Sequence, residues 1–305
     1  MKANRVIFAV VLIGAILLGA CGTAATPTTA PAATEAPAMT EAPAVTDAPA
    51  VANPDGCLGT ADAALVDLNC QEIQIAVENA YLPFNYIMSS TGQPGGWDYD
   101  TWNQICTLLH CKPVFVEAAW DGLIQGIANK QYDVAADGIT ITDDRAQIVD
   151  FSKGYLSIEQ RLLVRKGETR FASMDDFIKD DSLVLGTQSN TTNYETAVKL
   201  MPETRIKAFE QFPFAVQALI GGDVDAVIID QVAGMGYMGE NADKIEFVGP
   251  SISSDELGFA FPKGSALVEP VNKAIDAMQA SGFLLSVDQK YFGPDFNVTS
   301  NDIQQ

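Results

Sequence analysis

The sequence has little positive charge and almost no histidine. Its 305 residues include 39 Asp and Glu but only 18 Lys and Arg, which gives a formal net charge of −21. This charge disfavours nucleic-acid binding, because a polyanion is bound through clustered cations. The single histidine, His110, excludes a metal site built from several histidines and leaves little room for Ser-His-Asp or Cys-His catalysis. A glycine-rich phosphate loop is also missing, since Gly221-Gly222 precedes a strand-like segment. We expect neither a metal nor a cofactor.

The N-terminus is typical of an exported lipoprotein. Lys2 and Arg5 precede an apolar run from Val6 to Leu18, which fits a secretion signal and is short for a bilayer-spanning helix. The next residues, up to Cys21, resemble a bacterial lipobox, so residues 1–21 are predicted to be a lipoprotein signal peptide. An ordinary signal peptide is the alternative. The predicted location is extracytoplasmic, at a cell membrane that holds acyl chains on Cys21.

Residues 22–56 are predicted to be a linker. Ala, Thr and Pro dominate this segment, with near-repeats at 34–37, 40–43 and 46–49. Frequent prolines remove amide donors and favour an extended polyproline conformation, so no core is expected. At about 3 Å per residue the segment would reach on the order of 100 Å. A glycosylated stalk is the alternative use of its threonines.

The cysteines other than Cys21 are even in number, as expected of disulfides in an oxidising compartment. A continuous helix would keep Cys106 and Cys111 too far apart to bond, but Pro113 indicates that the helix has ended and so permits a bridge. Pairing of Cys57 with Cys70 would follow by elimination. Buried thiols are the alternative, and the spacing does not match a zinc site.

Strand-like and helix-like segments alternate from Ile73 onward. This alternation is typical of parallel sheets with crossover helices and predicts a doubly wound α/β architecture. The strand candidates are 73–77, 114–117, 134–136, 162–165, 183–186, 206–209, 224–229, 245–248 and 258–261. The helix candidates are 99–109, 121–129, 214–220 and 267–281.

Ligands of such sheets bind beyond the carboxyl ends of the strands. The residues that follow the apolar runs are therefore candidate ligand contacts. They are 78–84, Trp120, 137–145, 187–193 and Asp230.

Several ordered blocks carry a family resemblance. They are Tyr81-Leu82-Pro83-Phe84, Gly96-Trp97-Asp98-Tyr99-Asp100, Trp120-Asp121-Gly122-Leu123-Ile124, residues 137–145 (DGITITDDR), Asp150-Phe151-Ser152, residues 224–230 (VDAVIID) and Lys290-Tyr291-Phe292-Gly293. With these blocks the chain resembles, from Ile73 to about Pro294, the extracellular solute-binding protein family 3, the amino-acid receptors of bacterial ABC importers.

The resemblance implies a two-lobed, periplasmic-binding-protein-like fold of type II. Two crossing hinge strands would join the α/β lobes and let them close on a ligand. Lobe 1 would comprise residues 57–157 plus 250–305, and lobe 2 residues 158–249, with hinges near Leu156–Glu159 and Val248–Pro250. The Cys106 and Cys111 pair also resembles a disulfide of some family members.

The ligand's α-groups are assigned to both lobes. Arg145 offers a planar fork of donors that matches an α-carboxylate. The resemblance implies the same role, with help from Thr140, Thr191 and Thr192. Asp230 would accept the α-ammonium. The alternatives are an Arg145 paired with a neighbouring aspartate and simple helix capping by the threonines or Asp230.

The ligand's side chain would lie between aromatic walls and acids. Tyr81 and Trp120 are the expected walls, and Glu78 and Asp137 the acids, which suit a cationic or amide side chain. Gly138 and Gln188 complete the expected site. The sequence departs from the family pattern at Glu78, where aspartate is frequent, at the Asp137-Gly138 pair, where small or hydroxyl residues are common, and at Asn190, where glycine is frequent.

The sequence therefore predicts a receptor rather than an enzyme. Its expected ligand is a free polar amino acid, with arginine, lysine, ornithine, histidine or glutamine favoured. Its expected partners are an ABC permease and, through the lipid anchor, a membrane. One alternative is a cyclohexadienyl dehydratase-like enzyme, in which Glu78 or Asp137 would act as general acid. The other alternative is a ligand-sensing receptor, which we expect less because no second hydrophobic segment or signalling domain follows up to Gln305.

Overall fold

The computed structural model describes residues 56–299 and 301–304, so the predicted signal peptide, Cys21 and nearly all of the predicted linker lie outside the described residues. The strands are β1 (Gln71–Val77), β2 (Ala80–Tyr81), β3 (Asn85–Ile87), β4 (Pro94–Gly95), β5 (Cys111–Glu117), β6 (Val134–Ala135), β7 (Val149–Phe151), β8 (Leu156–Arg165), β9 (Leu185–Gln188), β10 (Ile206–Phe209), β11 (Ala226–Asp230), β12 (Ile245–Leu257) and β13 (Ala260–Pro262). The α-helices are α1 (Trp97–Leu109), α2 (Leu123–Ala128), α3 (Asp143–Ile148), α4 (Met174–Phe177), α5 (Thr192–Leu200), α6 (Phe212–Gly221), α7 (Gln231–Asn241), α8 (Val268–Ser281) and α9 (Phe283–Phe292).

The first lobe is built on a five-stranded sheet of order β5-β1-β6-β13-β7. Strand β1 runs parallel to β5 and β6, whereas β13 runs antiparallel to β6 and β7. Ile73 and Ile75 of β1 pack into one apolar cluster, and Ala76 packs into another on the opposite face. The sheet is therefore covered on both faces.

The second lobe is built on a five-stranded sheet of order β10-β9-β11-β8-β12. Val227 and Ile229 of β11 pack into one apolar cluster, whereas Ala226 and Ile228 pack into another. Burial of both faces explains why this strand reads as a continuous apolar run rather than as an alternation.

Strands β8 and β12 connect the two lobes, as expected for the two crossing strands. They pair antiparallel from Arg165 and Ile245 to Leu156 and Leu257, with a register shift between Val248 and Ser253. The sheets are mixed rather than wholly parallel, since β8 also runs antiparallel to β11. The chain passes from one lobe to the other along β8 and returns along β12, so these strands must run in opposite directions. The predicted lobe boundaries fall inside β8 and β12.

Helix α1 ends where the sequence predicted. His110 follows Leu109 with a left-handed φ of 51°, and the chain reverses into β5. This turn brings the α-carbons of Cys106 and Cys111 to 4.6 Å, and the two residues form a disulfide. The other expected pair, Cys57 and Cys70, is also bonded, with α-carbons 5.5 Å apart.

A small sheet of β2, β3 and β4 was not predicted. It leads into α1 through Gly96, which has a φ of 125° and lies so close to Phe84 that an added Cβ would stand 2.2 Å from the Phe84 carbonyl oxygen. Only glycine fits this turn. The turn brings Asp98 of α1 next to Asn85 of β3, where the two side chains hydrogen-bond. Of the helices in the described ranges, none has the length and apolar character needed to cross a bilayer.

Candidate functional site

A cavity lies between the two lobes, and its empty space, which includes open solvent, is about 310 Å³. We call it the cleft. It is lined by Glu78, Tyr81, Trp120, Asp137, Gly138, Thr140, Arg145, Gln188, Thr191, Thr192, Asn193, Phe212 and Asp230. The structure thus brings together every residue to which the sequence analysis gave a role in the ligand site. It adds Phe212, which was not predicted, and Asn193, which belonged to the candidate segment 187–193 but was given no role.

The strand ends explain why these residues meet. Glu78 follows β1 and Asp137 follows β6 shortly after its end, while Gln188 and Asp230 are the last residues of β9 and β11. Parallel strands place their carboxyl ends at the same edge of a sheet, and each lobe turns that edge toward the cleft.

Arg145 presents a cation that makes no ion pair with any of the described residues. Its Nη1 donates to the Thr140 carbonyl oxygen at 2.9 Å, and its guanidinium carbon lies 5.3 Å from the centre of the Trp120 ring. It forms no ion pair with a carboxylate in the described part of the chain, so the alternative pairing with a neighbouring aspartate is not found. Burial lowers the pKa of Arg145, although acids including Glu195 and Asp230 oppose this change. Its ordinary pKa is high enough that the side chain stays charged.

Asp230 presents a carboxylate from the other lobe. It occupies the N-cap position of α7 but makes no capping hydrogen bond, contrary to the capping alternative. Its oxygens instead accept hydrogen bonds from the Tyr81 hydroxyl at 2.5 Å and from Asn193 Nδ2 at 3.1 Å. Burial raises the pKa of Asp230 to about 6, while these hydrogen bonds act to lower it. Asp230 is therefore ionised at neutral pH and can accept an ammonium group.

The threonines of the cleft do two things. Thr191 caps α5 by accepting the Tyr194 amide proton at 3.1 Å, as the capping alternative expected. The hydroxyls of Thr192 and Thr140 lie 3.3 Å apart across the lobes. The Thr140 carbonyl oxygen also accepts the hydrogen bond from Arg145. The two hydroxyls and the guanidinium therefore form one group of hydrogen-bond donors.

Tyr81 forms a wall of the cleft with two other aromatic rings. It stacks on Phe84 at 5.1 Å and on Phe212 at 5.6 Å between ring centres. Gly138 makes room for this wall: its φ is 54°, and an added Cβ would stand 2.7 Å from the Tyr81 ring. Any larger residue at this position would have to displace the ring.

Trp120 also lines the cleft and touches the second lobe. Its Nε1 donates to the Asn190 carbonyl oxygen at 3.2 Å. Asn190 has a left-handed φ of 59°, and its Nδ2 donates to Asp121 Oδ1 at 2.9 Å. Asparagine tolerates this backbone conformation better than most residues, so the departure from the frequent glycine is accommodated.

Glu78 and Asp137 lie together at the first-lobe side of the cleft. Glu78 is 7% exposed and Asp137 is 2% exposed. Gln188 Nε2 donates to Glu78 Oε1 at 2.9 Å across the lobes, and the Glu78 amide points at Asp137 Oδ1 at 3.4 Å. Burial raises the pKa of Glu78 to about 9, helped by the charge of Asp137, and burial raises the pKa of Asp137 to about 7.

The residues that were not predicted differ in how visible they are. Phe212 follows β10 closely, so the rule of reading residues after strands could have included it. The same rule did include Asn193, as the last residue of the candidate segment 187–193. Asn85 and Asp98 carried no such signal. They reach Asp137 only through side-chain hydrogen bonds that the fold creates.

The chain resembles known proteins over the residues that form the cleft. The model of the bacterial extracellular solute-binding proteins, family 3, matches residues 73–294. A "Probable histidine-binding protein" of Neisseria gonorrhoeae is 31% identical over 240 residues, which are 77% of this chain and 88% of that protein. An "L-arginine-binding protein" of Pseudomonas aeruginosa is 30% identical over 232 residues, 73% of this chain and 88% of that protein.

Solved structures match the same region. An ancestral arginine-binding protein bound to arginine is 30% identical, has a TM-score of 0.68 and covers 73% of this chain and 98% of its own. The ancestral amino acid-binding protein AncCDT-1, described as a precursor of cyclohexadienyl dehydratase, is 29% identical, has a TM-score of 0.67 and covers 72% of this chain and 95% of its own.

The buried acids predict that the ligand-free protein loses stability as the pH rises. In the unfolded chain Glu78 and Asp137 ionise near pH 4, far below their values of about 9 and about 7 in the fold. Between these values the unfolded state binds fewer protons, so the free energy of unfolding falls with pH. We expect the thermal unfolding midpoint to fall between about pH 5 and pH 8.

Two variants test the source of this slope. Glu78→Gln cannot ionise in the cleft and should flatten the dependence. Glu72→Gln removes an acid that is 64% exposed on β1, the strand that precedes Glu78. This variant should leave the pH dependence unchanged. A wild-type midpoint that stays level or rises over this range would contradict the prediction.

Proposed function

The chain belongs to the bacterial extracellular solute-binding proteins, family 3, and we propose that it is a lipid-anchored receptor that binds a free basic amino acid and delivers it to an ABC permease. Members of this family that resemble the chain are named for the amino acids they bind. The chain is accordingly a binding protein rather than an enzyme. The dehydratase alternative is not proposed, because the similar structure linked to it is itself described as an amino acid-binding protein.

The observation that carries the proposal is the pair of opposite charges on the two sides of the cleft. Arg145 of the first lobe has no carboxylate partner in the described residues, and Asp230 of the second lobe has hydrogen bonds but no cation. An α-amino acid carries both complementary charges on one carbon. Its carboxylate would bind Arg145 and its ammonium would bind Asp230, so both lobes are needed to hold it.

The side-chain end of the cleft supports a basic ligand. Glu78 and Asp137 line the cleft together with the aromatic rings of Tyr81 and Trp120. A guanidinium or ammonium group beside these rings would gain cation–π contact and charge pairing. Similar structures include an ancestral arginine-binding protein bound to arginine and an ancestral arginine-binding protein bound to glutamine, so glutamine is the natural competitor to compare.

The anchor and the permease complete the proposal. The lipobox-like residues before Cys21 and the proline-rich segment after it support attachment to a membrane through a spacer. The family membership supports an extracytoplasmic location and delivery to a permease.

Arg145→Ala should weaken amino-acid binding severely. Removing one partner of a buried charge pair costs about 2 to 5 kcal/mol, or roughly thirtyfold to several thousandfold in Kd. Calorimetric titration with arginine measures this loss. Arg170→Ala is the matched control, because Arg170 is 45% exposed and pairs with Glu168 outside the cleft. A loss under about threefold for Arg145→Ala would contradict the clamp.

The wild-type protein should bind arginine, lysine or ornithine more tightly than glutamine. Glu78→Gln and Asp137→Asn should each reduce the preference, because each removes one of the acids that would pair with the ligand's cation. Competition titrations of the three proteins give the cation-to-glutamine ratio. Tightest binding of glutamate or an aliphatic amino acid, or a ratio that neither substitution changes, would show that charge pairing does not set the specificity.

Cys21→Ala should release the mature protein from membranes without changing amino-acid binding. The measurement is fractionation of the producing cells followed by titration of the released protein. A variant that still sediments with membranes and dissolves only in detergent would show that Cys21 is not the lipidated residue.

A further inference from the structure

The acids at the side-chain end of the cleft belong to a buried network. Asn85 is fully buried, and its Nδ2 donates to Asp137 Oδ1 at 2.7 Å and to Asp98 Oδ2 at 2.9 Å. Its Oδ1 accepts the Asn79 amide proton at 2.7 Å, which fixes the orientation of the amide group. Asn85 thereby ties one oxygen of Asp137 in place.

The other oxygen of Asp137 is uncommitted. Asp137 Oδ2 is buried and has no hydrogen-bond partner among the described residues. Asp137 lines the cleft next to Glu78, whose Oε1 is held by Gln188 from the second lobe. Two carboxyl groups with fixed orientation therefore share the end of the cleft where the ligand's side chain would lie.

None of the residues that the structure describes supplies a cation to this pair. The titratable groups that interact with Asp137 are Glu78, Asp98, Tyr81, Tyr99 and Tyr155, and Tyr237 interacts with Glu78. All of these are acids or phenols. Arg145 and Asp230, the other two charged residues that line the cleft, bind Thr140 and Tyr81 respectively. Within the described ranges, neither Glu78 nor Asp137 takes part in an ion pair.

Two buried carboxylates without a counter-ion are costly, because each ionised group leaves water and repels the other. A bound proton removes one charge of the pair. A ligand cation beside the pair lowers its affinity for that proton, and exchange of the proton for the cation keeps the total charge of the site constant. A neutral ligand offers no such replacement.

We propose that Glu78 and Asp137 together hold one exchangeable proton in the empty cleft and release it when a cationic side chain binds, so that the receptor exchanges a proton for a basic amino acid. The inference rests on the proposed function and adds its coupling to pH. The released proton passes from the carboxyl pair to solvent, and no bond other than that O–H bond breaks. The affinity for a basic ligand therefore rises with pH, whereas the affinity for a neutral ligand of the same shape does not rise through this pair. The raised pKa of both acids agrees with this behaviour.

Arginine and citrulline provide the matched comparison. They share the α-groups and the length of the side chain, and they differ in the charge of its end. Any proton that Asp230 releases on binding the α-ammonium is common to both ligands and cancels. Calorimetry in two buffers of different ionisation enthalpy, near pH 7, gives the number of protons released per ligand. We expect arginine to release about one proton more than citrulline, and its affinity to rise by up to about tenfold per pH unit.

Variants locate the exchange. Glu78→Gln and Asp137→Asn should each reduce the excess release by arginine, because the remaining acid no longer has a like charge beside it. Glu72→Gln, at the exposed start of β1, should retain the wild-type excess. If citrulline binds too weakly to titrate, the release by arginine at about pH 8, where Asp230 is already ionised, serves instead.

The outcomes separate this inference from the proposed function. Equal proton release by arginine and citrulline in the wild-type protein, or none by arginine at about pH 8, would overturn the exchange while leaving the receptor intact. An unchanged excess in both cleft variants would overturn the assignment to Glu78 and Asp137. If no amino acid binds at any pH, the proposed function fails and the exchange fails with it. The wild-type comparison needs no variant, so it decides the matter even if a variant does not fold.

Discussion

The cleft buries charges that the protein does not neutralise by itself, and this imbalance governs the rest of the site. Arg145 lacks a carboxylate partner in the described residues, while Asp230, Glu78 and Asp137 lack a cation. Leaving buried charges unpaired is unfavourable. Under the proposed function, a zwitterion with a basic side chain would supply a carboxylate to Arg145, an ammonium to Asp230 and one cation to the pair of Glu78 and Asp137. Closure of the lobes would then depend on the ligand.

The fold holds the charged residues of the cleft in fixed positions. The sheets of both lobes are buried on both faces, which fixes the strand ends that carry the charged residues. Strands β8 and β12 connect the lobes and hold the two sets of strand ends opposite each other. Hydrogen bonds also connect the lobes across the cleft, from Tyr81 to Asp230 and from Gln188 to Glu78. They satisfy some of the polar groups that line the cleft.

The sequence predicted the strand ends and the residues that line the cleft better than the strand directions and the hydrogen-bond network behind the cleft. Apolar runs marked where β1 and β11 end, and this was enough to assign Glu78 and Asp230 to the cleft. Strand direction could not be read, because periodicity reports which faces are buried and not which way a strand runs. The small sheet of β2, β3 and β4 was missed because its strands are only two or three residues long. The Asn85 and Asp98 network depends on side-chain geometry that only the folded chain defines.

The central claim is that one amino acid bridges the lobes through its own α-groups. Calorimetric titration with arginine, agmatine and 5-guanidinopentanoate tests it most directly, since agmatine lacks the α-carboxylate and 5-guanidinopentanoate lacks the α-ammonium. The account predicts tight binding of arginine and a loss of at least about thirtyfold for each analogue, because each leaves Arg145 or Asp230 buried without a partner. Binding of either analogue within about threefold of arginine would contradict the account.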